Sequence, residues 1–437
     1  MARVSAAEST AVARLARRLP FFYGWVIVYI SFIGVFIMGA ISYWGMPVFV
    51  GPIHDDTGWS HASILAGLAA RFIVGGFGGF ALGHLADKRG GPPLLLLVGV
   101  TIDAAALVAL RWVETPAQFI FVYGVIGGAG NTGMRLVQST LVAKWFVARR
   151  GTAVGFSSNG GGVSALIMVP VIAFLISELG WRDAWSALAA IMLVLLLPCV
   201  PLAVRAPEDV GLEPDNGVQA GPSRPGRVTA ATERSYRLGE VVHTWQFWLL
   251  LGGVLIGNYA LQTHTVVLVP YIEEIGFSSA TAASALSVYG LFSLGMRFAW
   301  GMLADRLSVR RAIIIQALAT GAAAVLLIQV TGLASLYMVI ALTGMTLSGY
   351  PPLQILVWPE FFGRRHIGSI VGLTQFFTTF AGAVGPVIAG FVNDRSGTYE
   401  STLWLLLVTW LACAVVMYAV RSVPSGEREP AVTASMG

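Results

Sequence analysis

The sequence predicts an all-α membrane protein in which twelve transmembrane helices form two six-helix halves and both termini lie in the cytoplasm. Three observations predict this fold: the composition, the recurrence of long apolar segments and the distribution of Lys and Arg. Of the 437 residues, 56% are hydrophobic and only 11% are charged, and the mean hydropathy is +0.75. Because a soluble domain carries about 25% charged residues, most of this surface is expected to face lipid.

Long apolar segments recur along the chain, and each approaches the roughly 20 residues that a helix needs to cross a bilayer. All of them are expected to be helical, because a lipid-exposed segment must satisfy its backbone hydrogen bonds internally. The predicted spans are 24–49, 61–85, 93–112, 117–143, 151–176, 184–204, 247–272, 280–303, 312–330, 333–358, 367–393 and 402–420.

The positive charges alternate with these spans. Of the 27 Lys and Arg residues, 21 lie at the termini or in loops on one side, three lie in the opposite loops and three lie inside spans. Loops rich in Lys and Arg stay in the cytoplasm, so this bias places both termini there. It also supports the count of twelve, since one missed span would destroy the alternation.

The chain divides at its longest polar stretch, 205–246, which is rich in Pro, Gly, Glu and Arg and is interpreted as a cytoplasmic linker. The predicted N-terminal six-helix half is 1–204, and it begins with a cytoplasmic, Ala- and Arg-rich segment, 1–20, that can lie as a short helix on the inner membrane face. The predicted C-terminal half is 247–420, followed by a cytoplasmic tail, 421–437.

A charged turn occurs twice, after spans two and eight. Residues 83–90 read Gly-His-Leu-Ala-Asp-Lys-Arg-Gly, and 301–306 read Gly-Met-Leu-Ala-Asp-Arg, 218 residues later. A second pair of related segments, 145–155 and 361–372, precedes spans five and eleven at nearly the same offset. A fixed offset between two matched pairs indicates a parallel internal repeat of six spans plus six.

The Gly-x-Leu-Ala-Asp-(Lys/Arg) turns resemble the loop signature of the major facilitator superfamily. The resemblance implies the major facilitator fold, in which Asp87 and its neighbours brace the inward face while the halves rock. Asp87 and Asp305 are expected to accept hydrogen bonds from the N-terminus of a neighbouring helix, where the helix dipole favours an anion. The gating-loop residues predicted from the two turns are Gly83, Asp87, Lys88, Gly90, Gly301, Asp305 and Arg306.

Three further segments resemble the monocarboxylate transporter and oxalate/formate antiporter families. They are Tyr-Gly-Trp at 23–25, the Arg-Arg-Gly signature within 145–155, and Arg-x-Pro-Glu-Asp-x-Gly-Leu at 205–212. The resemblance implies that an arginine of span eight, here Arg297, binds the substrate carboxylate through two parallel N–H donors. The alternative is that Arg297 only extends its side chain to the inner headgroups.

Away from their ends, the predicted spans contain four charged residues, and a charge at mid-membrane costs at least about 2.5 kcal/mol. Three are positive, which favours an anionic substrate. Arg71 and Asp103 lie in adjacent spans and either form a structural ion pair or take part in coupling, with Asp103 as a proton carrier. Arg135 in span four is a second candidate for anion binding, or it caps cytoplasmic carbonyl groups. Arg297 is the fourth.

Polar side chains supply the remaining candidates. His264 is the only histidine away from the ends of a span, so it either relays a proton or is hydrogen-bonded inside the bundle. Asn258 and Gln262 lie one turn apart on one face of span seven and either line the substrate cavity or join helices. Tyr350 precedes two prolines in span ten, where a kink is typical of a gate or a binding site.

These observations predict a secondary active transporter in the cytoplasmic (inner) membrane that moves a small organic anion by proton-coupled monocarboxylate symport and alternating access. The first alternative is an anion exchanger of the oxalate/formate type, followed by a transporter-fold sensor and, last, a membrane enzyme. No cofactor, metal ion, nucleic acid or catalytic residue is predicted. The expected partners are a small carboxylate, protons and the lipid bilayer, and the sequence leaves the oligomeric state open.

Overall fold

The computed structural model of the protein describes residues 11–217, here called the first range, and 235–420, the second range. The predicted tail 421–437, the linker residues 218–234 and residues 1–10 lie outside the described residues. The regular elements of both ranges are helical. The first range contains α1 (Ala11–Arg18), α2 (Gly24–Met38), α3 (Gly45–Thr57), α4 (His61–Leu82), α5 (Gly91–Ala109), α6 (Pro116–Phe119), α7 (Gly127–Trp145), α8 (Arg150–Ser158) and α9 (Gly160–Leu196).

The second range continues with a short helix and eight longer ones. They are α10 (Leu238–Val242), α11 (Trp245–Glu274), α12 (Ser279–Ser293), α13 (Met296–Arg306), α14 (Val309–Ile328), α15 (Leu333–Leu347), α16 (Tyr350–Phe362), α17 (Ile367–Ser396) and α18 (Glu400–Ala419). Part of the predicted N-terminal segment is therefore the helix α1, as expected. The side chains of Ala13 and Ala16 in α1 are buried against the rest of the protein.

Within the described residues, eight helical segments are long and apolar enough to cross a membrane. One of them, Arg150–Leu202, contains predicted spans five and six, and Gly180 interrupts it with a non-helical φ of 76° and ψ of 163°. Predicted spans four, seven and eight are also helical but do not belong to the eight. The all-helical architecture is thus present, and the total of twelve crossings stays a prediction.

Several helices are interrupted where the sequence permits it. Between α12 and α13, Gly295 has a φ of 77°, a left-handed conformation that favours glycine. The expected break in span ten is present, since α15 ends at Leu347 and α16 begins at Tyr350 with prolines in its first turn, where the missing N–H groups have no intrahelical acceptor. Two π-helical turns, Gly39–Tyr43 and Ile120–Ile126, interrupt the predicted spans one and four.

The two ranges meet at one end of the bundle, which we call the basic end and define by residues 83–90, 144–152, 301–308 and 363–369. There α4 and the 3₁₀ turn Gly83–Asp87 pack against α17, and α8 packs against α13. Both contacts are made by glycines. A Cβ added at Gly83 would lie 2.5 Å from the Gly368 carbonyl oxygen, so only glycine allows this approach of the two backbones.

The α8–α13 contact allows a stability test. Gly301→Ala would place a methyl group against the Gly151 carbonyl, and overpacking of this kind costs about 1–3 kcal/mol. We expect a lower midpoint of thermal unfolding in detergent. The control is Gly252→Ala, because no neighbouring atom lies within 4 Å of the added Cβ and alanine favours a helix over glycine. Equal midpoints for the two variants would contradict the close contact.

Candidate functional site

A buried ion pair joins two of the predicted charged residues. Arg71 Nη2 of α4 donates to Asp103 Oδ2 of α5 at 2.6 Å, and the two side chains are 1% and 0% exposed. Arg71 Nε also donates to Ser42 Oγ at 3.0 Å, and Nη1 donates to the Tyr123 carbonyl oxygen at 3.3 Å. These partners neutralise the guanidinium and use its donors, so the geometry is that of the predicted ion pair.

The two additional partners of Arg71 come from the π-helical turns. Ser42 lies in Gly39–Tyr43 and Tyr123 lies in Ile120–Ile126. The Tyr123 hydroxyl also donates to the Ile41 carbonyl at 3.0 Å, which ties one π-helical turn to the other. Such turns are frequent at functional sites. Sequence reasoning missed Ser42 and Tyr123; their only signal was a polar atom within an apolar segment.

Arg297 lies at the second position of α13, directly after the helix break at Gly295. Its Nη1 donates to the carbonyl oxygen of Ser158, the last residue of α8, at 2.6 Å. Its Nε is buried and has no hydrogen-bond partner within the two described ranges. Arg297 therefore reaches from the second range to the first, and part of its donor capacity stays unused.

Arg135 lies in another part of the bundle, where α7 faces α4. Its Nη1 is 3.8 Å from the position of a Cβ added at Gly75, and no hydrogen bond or ion pair of its guanidinium is found among the described residues. One turn later, Ser139 Oγ accepts a hydrogen bond from Gln375 Nε2 of α17 at 3.3 Å. The Gln375 Oε1 atom is buried without a partner in the described part of the chain.

The polar candidates of the second range mostly join helices to one another. Asn258 Nδ2 donates to the Thr378 carbonyl of α17 at 2.8 Å, and Gln262 Cγ lies 3.3 Å from a Cβ added at Gly382 of the same helix. The Tyr350 hydroxyl donates to the Val254 carbonyl of α11 at 2.8 Å.

Tyr350 and His264 are both fully buried, at 0% exposure. The Tyr350 ring packs against Trp410 of α18 with 5.5 Å between ring centroids. Neither ring nitrogen of His264 has a hydrogen-bond partner among the residues that the structure describes. The hydrogen-bonded alternative expected for His264 is therefore not seen, whereas Tyr350 is held in place by helix packing.

The two acids of the repeated turns bind helix N-termini in the other range. Asp87 Oδ1 and Oδ2 accept the backbone N–H groups of Gly368 and Ser369 at the start of α17, each at 2.8 Å. Asp305 Oδ1 and Oδ2 accept those of Gly151 and Thr152 at the start of α8, at 2.6 and 2.7 Å. The hydrogen bonds expected of the two acids from the sequence are thus present in both copies.

Two charged residues of α13 contact α8. Asp305 binds the backbone N–H groups at the N-terminus of α8, where the helix dipole favours an anion. Arg297 binds the Ser158 carbonyl, after which the chain continues through the helical residue Asn159 into α9. Between them, a Cβ added at Gly155 would lie 2.6 Å from the Arg297 carbonyl oxygen, so the two backbones are in direct contact.

The first turn has one partner that the sequence did not reveal. Lys144 Nζ donates to Asp87 Oδ1 and to the Ala86 carbonyl oxygen, both at 2.8 Å. Lys144 lies one residue beyond the predicted span 117–143. Burial lowers the pKa of Lys144, and the charge of Asp87 acts in the opposite direction.

The other predicted loop residues have different surroundings. Gly90 has a φ of 78°, a left-handed conformation that a glycine adopts without strain. Gly301 is buried against Gly151 of α8. Lys88 and Arg306 are exposed at the basic end.

The sequence model of the Major Facilitator Superfamily matches residues 31–283 and 256–435. The chain belongs to this superfamily. As a Major Facilitator Superfamily protein it is a multi-pass membrane protein, and its curated relatives are transporters.

Among these relatives, monocarboxylate transporter 12-B of Danio rerio is 23% identical over 362 residues, which cover 78% of this chain and 75% of that protein. The oxalate:formate antiporter of Oxalobacter formigenes is 23% identical over 260 residues, which cover 60% of this chain and 58% of that protein. These are the two families that the motifs of the sequence resemble.

Solved structures of the superfamily share the fold. The human organic anion transporter MFSD10 superposes with a TM-score of 0.69 at 14% identity, and the alignment covers 92% of this chain and 100% of that one. The fucose:proton symporter FucP of E. coli superposes with a TM-score of 0.67 at 12% identity, covering 92% and 98%.

The buried ion pair generates a prediction about stability. Arg71→Met leaves Asp103 as an unpaired buried charge, a change that costs about 3–5 kcal/mol. We expect a large fall in the midpoint of thermal unfolding in detergent, and the double variant Arg71→Met/Asp103→Leu should recover part of it.

The matched control for the ion pair is Arg111→Met, because Arg111 and Asp183 form an ion pair whose side chains are 57% and 40% exposed. Exposed pairs contribute little to stability, so the midpoint of this variant should stay near that of the wild type. A double variant no more stable than Arg71→Met would contradict the importance of the unpaired charge.

Proposed function

We propose that this chain is a secondary active transporter that moves a small monocarboxylate together with a proton. The observation that carries the proposal is Arg297, a partly buried guanidinium at a helix break where the two ranges meet. The relationship to monocarboxylate transporters supports the same class of substrate. Substrate and proton are thus the proposed partners.

The surroundings of Arg297 suit a carboxylate. The break at Gly295 leaves the first N–H groups of α13 without intrahelical acceptors, and the N-terminus of a helix favours an anion. The guanidinium adds donors that match the two oxygens of a carboxylate. In this proposal the substrate takes over donors that Arg297 otherwise directs to the Ser158 carbonyl. Discontinuous helices form substrate sites of this kind in other transporters.

The proposed topology has twelve spans in two six-helix halves, and both termini lie in the cytoplasm. The proposed location is the cytoplasmic (inner) membrane. The basic end is then the cytoplasmic face, as the excess of Lys and Arg requires. In this proposal the hydrogen bonds of Asp87 and Asp305 hold the cytoplasmic face closed. Alternating access requires these bonds to break and re-form as the halves rock.

A second candidate function is anion exchange of the oxalate/formate type. Arg135 favours it, because its guanidinium has no anionic partner within the described ranges and offers a second positive charge for a substrate with two anionic groups. One relative is an oxalate:formate antiporter. Exchange would need an anion on the opposite side of the membrane and no proton gradient, so the two functions differ in what drives uptake.

Substrate transport is tested with purified protein in liposomes and labelled lactate, pyruvate, acetate and oxalate. We expect uptake of a monocarboxylate that an inward proton gradient stimulates. Arg297→Ala should reduce it by about 10- to 100-fold, since hydrogen bonds to a charged group contribute about 1.5–3 kcal/mol. Arg297→Lys should fall between the two, because lysine keeps the charge and loses the paired donors.

The control for Arg297 is Arg395→Ala, which removes the same charge from an exposed residue packed on Phe391. Its uptake should match that of the wild type. Uptake that depends on internal anion and ignores the proton gradient would replace symport by exchange. Failure to transport any of these acids would remove the organic-anion proposal and favour the sensor alternative.

Proton coupling is the second test, and its candidates are His264, Asp103 and Arg71. His264 is the one whose ring nitrogens have no partner among the described residues. We expect His264→Gln to abolish stimulation by the proton gradient while exchange of labelled for unlabelled substrate continues. The same comparison for Asp103→Asn distinguishes a proton carrier from a structural acid. Loss of a proton carrier should abolish only the stimulation by the proton gradient, whereas loss of the structural pair with Arg71 should lower both uptake and exchange.

A further inference from the structure

We propose that residues 204–216, which follow the 3₁₀ turn Leu197–Leu202 and are here called the latch, hold the basic end of the protein closed. The latch contacts the turn 83–90, the segment that precedes α8 and the segment that precedes α17. The turn 83–90 carries Asp87. The other two segments lead into α17, which Asp87 binds, and into α8, which Asp305 binds. The proposal concerns the closed conformation and does not depend on which substrate is transported.

The end of the latch is fixed by Asp215. Its Oδ2 accepts the backbone N–H groups of Val147 and Ala148, both at 2.7 Å, and its Oδ1 accepts that of Arg149 at 3.4 Å. Three consecutive amides directly before α8 thus bind one carboxylate. Asp215 is 9% exposed, so these bonds are largely protected from water and hold the start of α8 against the latch.

The backbone at this point has an unusual conformation. Asp215 and Asn216 have φ values of 53° and 58°, in the left-handed region that few residues other than glycine adopt. Such conformations persist where surrounding contacts impose them, and they concentrate at functional segments. Here the contacts are the three amides, since the turn directs the Asp215 side chain at them.

The middle of the latch binds the first gating turn. Arg205 Nε and Nη2 donate to the two carboxylate oxygens of Asp209, at 2.9 and 2.8 Å. This paired geometry orients the guanidinium, and the remaining Nη1 donates to the Asp87 carbonyl oxygen at 3.0 Å. The latch therefore holds the backbone of the residue whose side chain closes the basic end.

Glu208 connects the latch to the second range. Its Oε1 accepts a hydrogen bond from Arg364 Nη2 at 2.5 Å, and Arg364 Nη1 donates to the Lys144 carbonyl at 2.9 Å. Arg364 lies four residues before Gly368, whose N–H binds Asp87. Separation of the ranges at this end has to break the Glu208–Arg364 pair. The pair therefore stabilises the closed conformation and does not stabilise an open one.

The latch also accounts for sequence features that the transport proposal leaves unused. Residues 205–212 carry one of the motifs that resemble the monocarboxylate transporter and oxalate/formate antiporter families, and the hydrogen bonds of Arg205 and Glu208 go to Asp87, Asp209 and Arg364. The fixed spacing of Arg205, Glu208 and Asp209 places one cation against the first turn and one anion against the second range. This arrangement links movement of the helix before the latch to opening of the basic end.

The test measures the distance across the basic end in lipid nanodiscs with spin labels at Arg89→Cys and Arg311→Cys, two exposed positions in different ranges. The wild-type background should give a short distance for the closed state and a longer one for the open state. Glu208→Gln should raise the open-to-closed ratio by about 1.5- to 5-fold, the effect of losing one partly exposed ion pair. Asp215→Ala should also raise it, because the freed end of the latch then holds Glu208 less firmly against Arg364, and Asp215→Asn should have a smaller effect, because asparagine keeps one acceptor oxygen.

The matched control is Glu213→Gln, which neutralises an exposed acid of the same segment and should leave the ratio unchanged. The exchanged pair Glu208→Arg/Arg364→Glu should return the ratio toward the wild-type value, and this variant separates loss of the pair from general damage to the fold. Unchanged ratios in both Glu208→Gln and Asp215→Ala, or an equal effect of Glu213→Gln, would overturn the proposal. Because no substrate is present, this outcome is independent of the uptake experiments.

Discussion

The free N–H groups at the start of a helix need acceptors, and at the basic end of this protein two of these helix starts find them in the other range. Asp87 serves α17 and Asp305 serves α8, each through two backbone amides. Each carboxylate is stabilised by a helix dipole that it stabilises in turn. The glycine contacts of both helix pairs lie beside these hydrogen bonds, and they allow the close approach of the backbones that brings each acid to its helix start.

The candidate binding residue is part of the same arrangement. Arg297 and Asp305 lie on one short helix, α13, and both bind α8: Asp305 at its first backbone N–H groups and Arg297 at the Ser158 carbonyl. In the proposed mechanism, an anion that draws Arg297 away from the Ser158 carbonyl would weaken the contact between α13 and α8 to which the Asp305 hydrogen bonds also belong. The proposed binding residue and Asp305 lie on one helix of eleven residues, so a displacement of that helix at Arg297 would also act on the basic end.

Much of this could be predicted from the sequence, and the remainder has a common cause. Periodic apolar segments and the placement of Lys and Arg indicate membrane helices, and the two matched turns indicate that Asp87 and Asp305 act alike. The Arg71–Asp103 pair follows from two opposite charges in adjacent apolar segments. The partners that were missed are backbone carbonyls, such as that of Ser158, or side chains far along the chain, such as Lys144 beside Asp87. No local pattern records them, because they exist only after the helices pack. Tyr350 illustrates the converse: its kink was predictable, but its bond to Val254 was not.

The reciprocal binding of the two acids has a consequence for the repeat itself. Each copy of the repeat carries an acid and a helix start, and in both cases the acid binds the helix start of the other copy. A single copy would leave one carboxylate and one set of helix-start amides without partners, whereas two copies satisfy both sets at once. The contact that closes the basic end therefore has the form of a symmetric dimer interface within one polypeptide. Each repeat contributes the same two groups, an acid and a helix start, as each subunit of a two-fold dimer contributes the same surface.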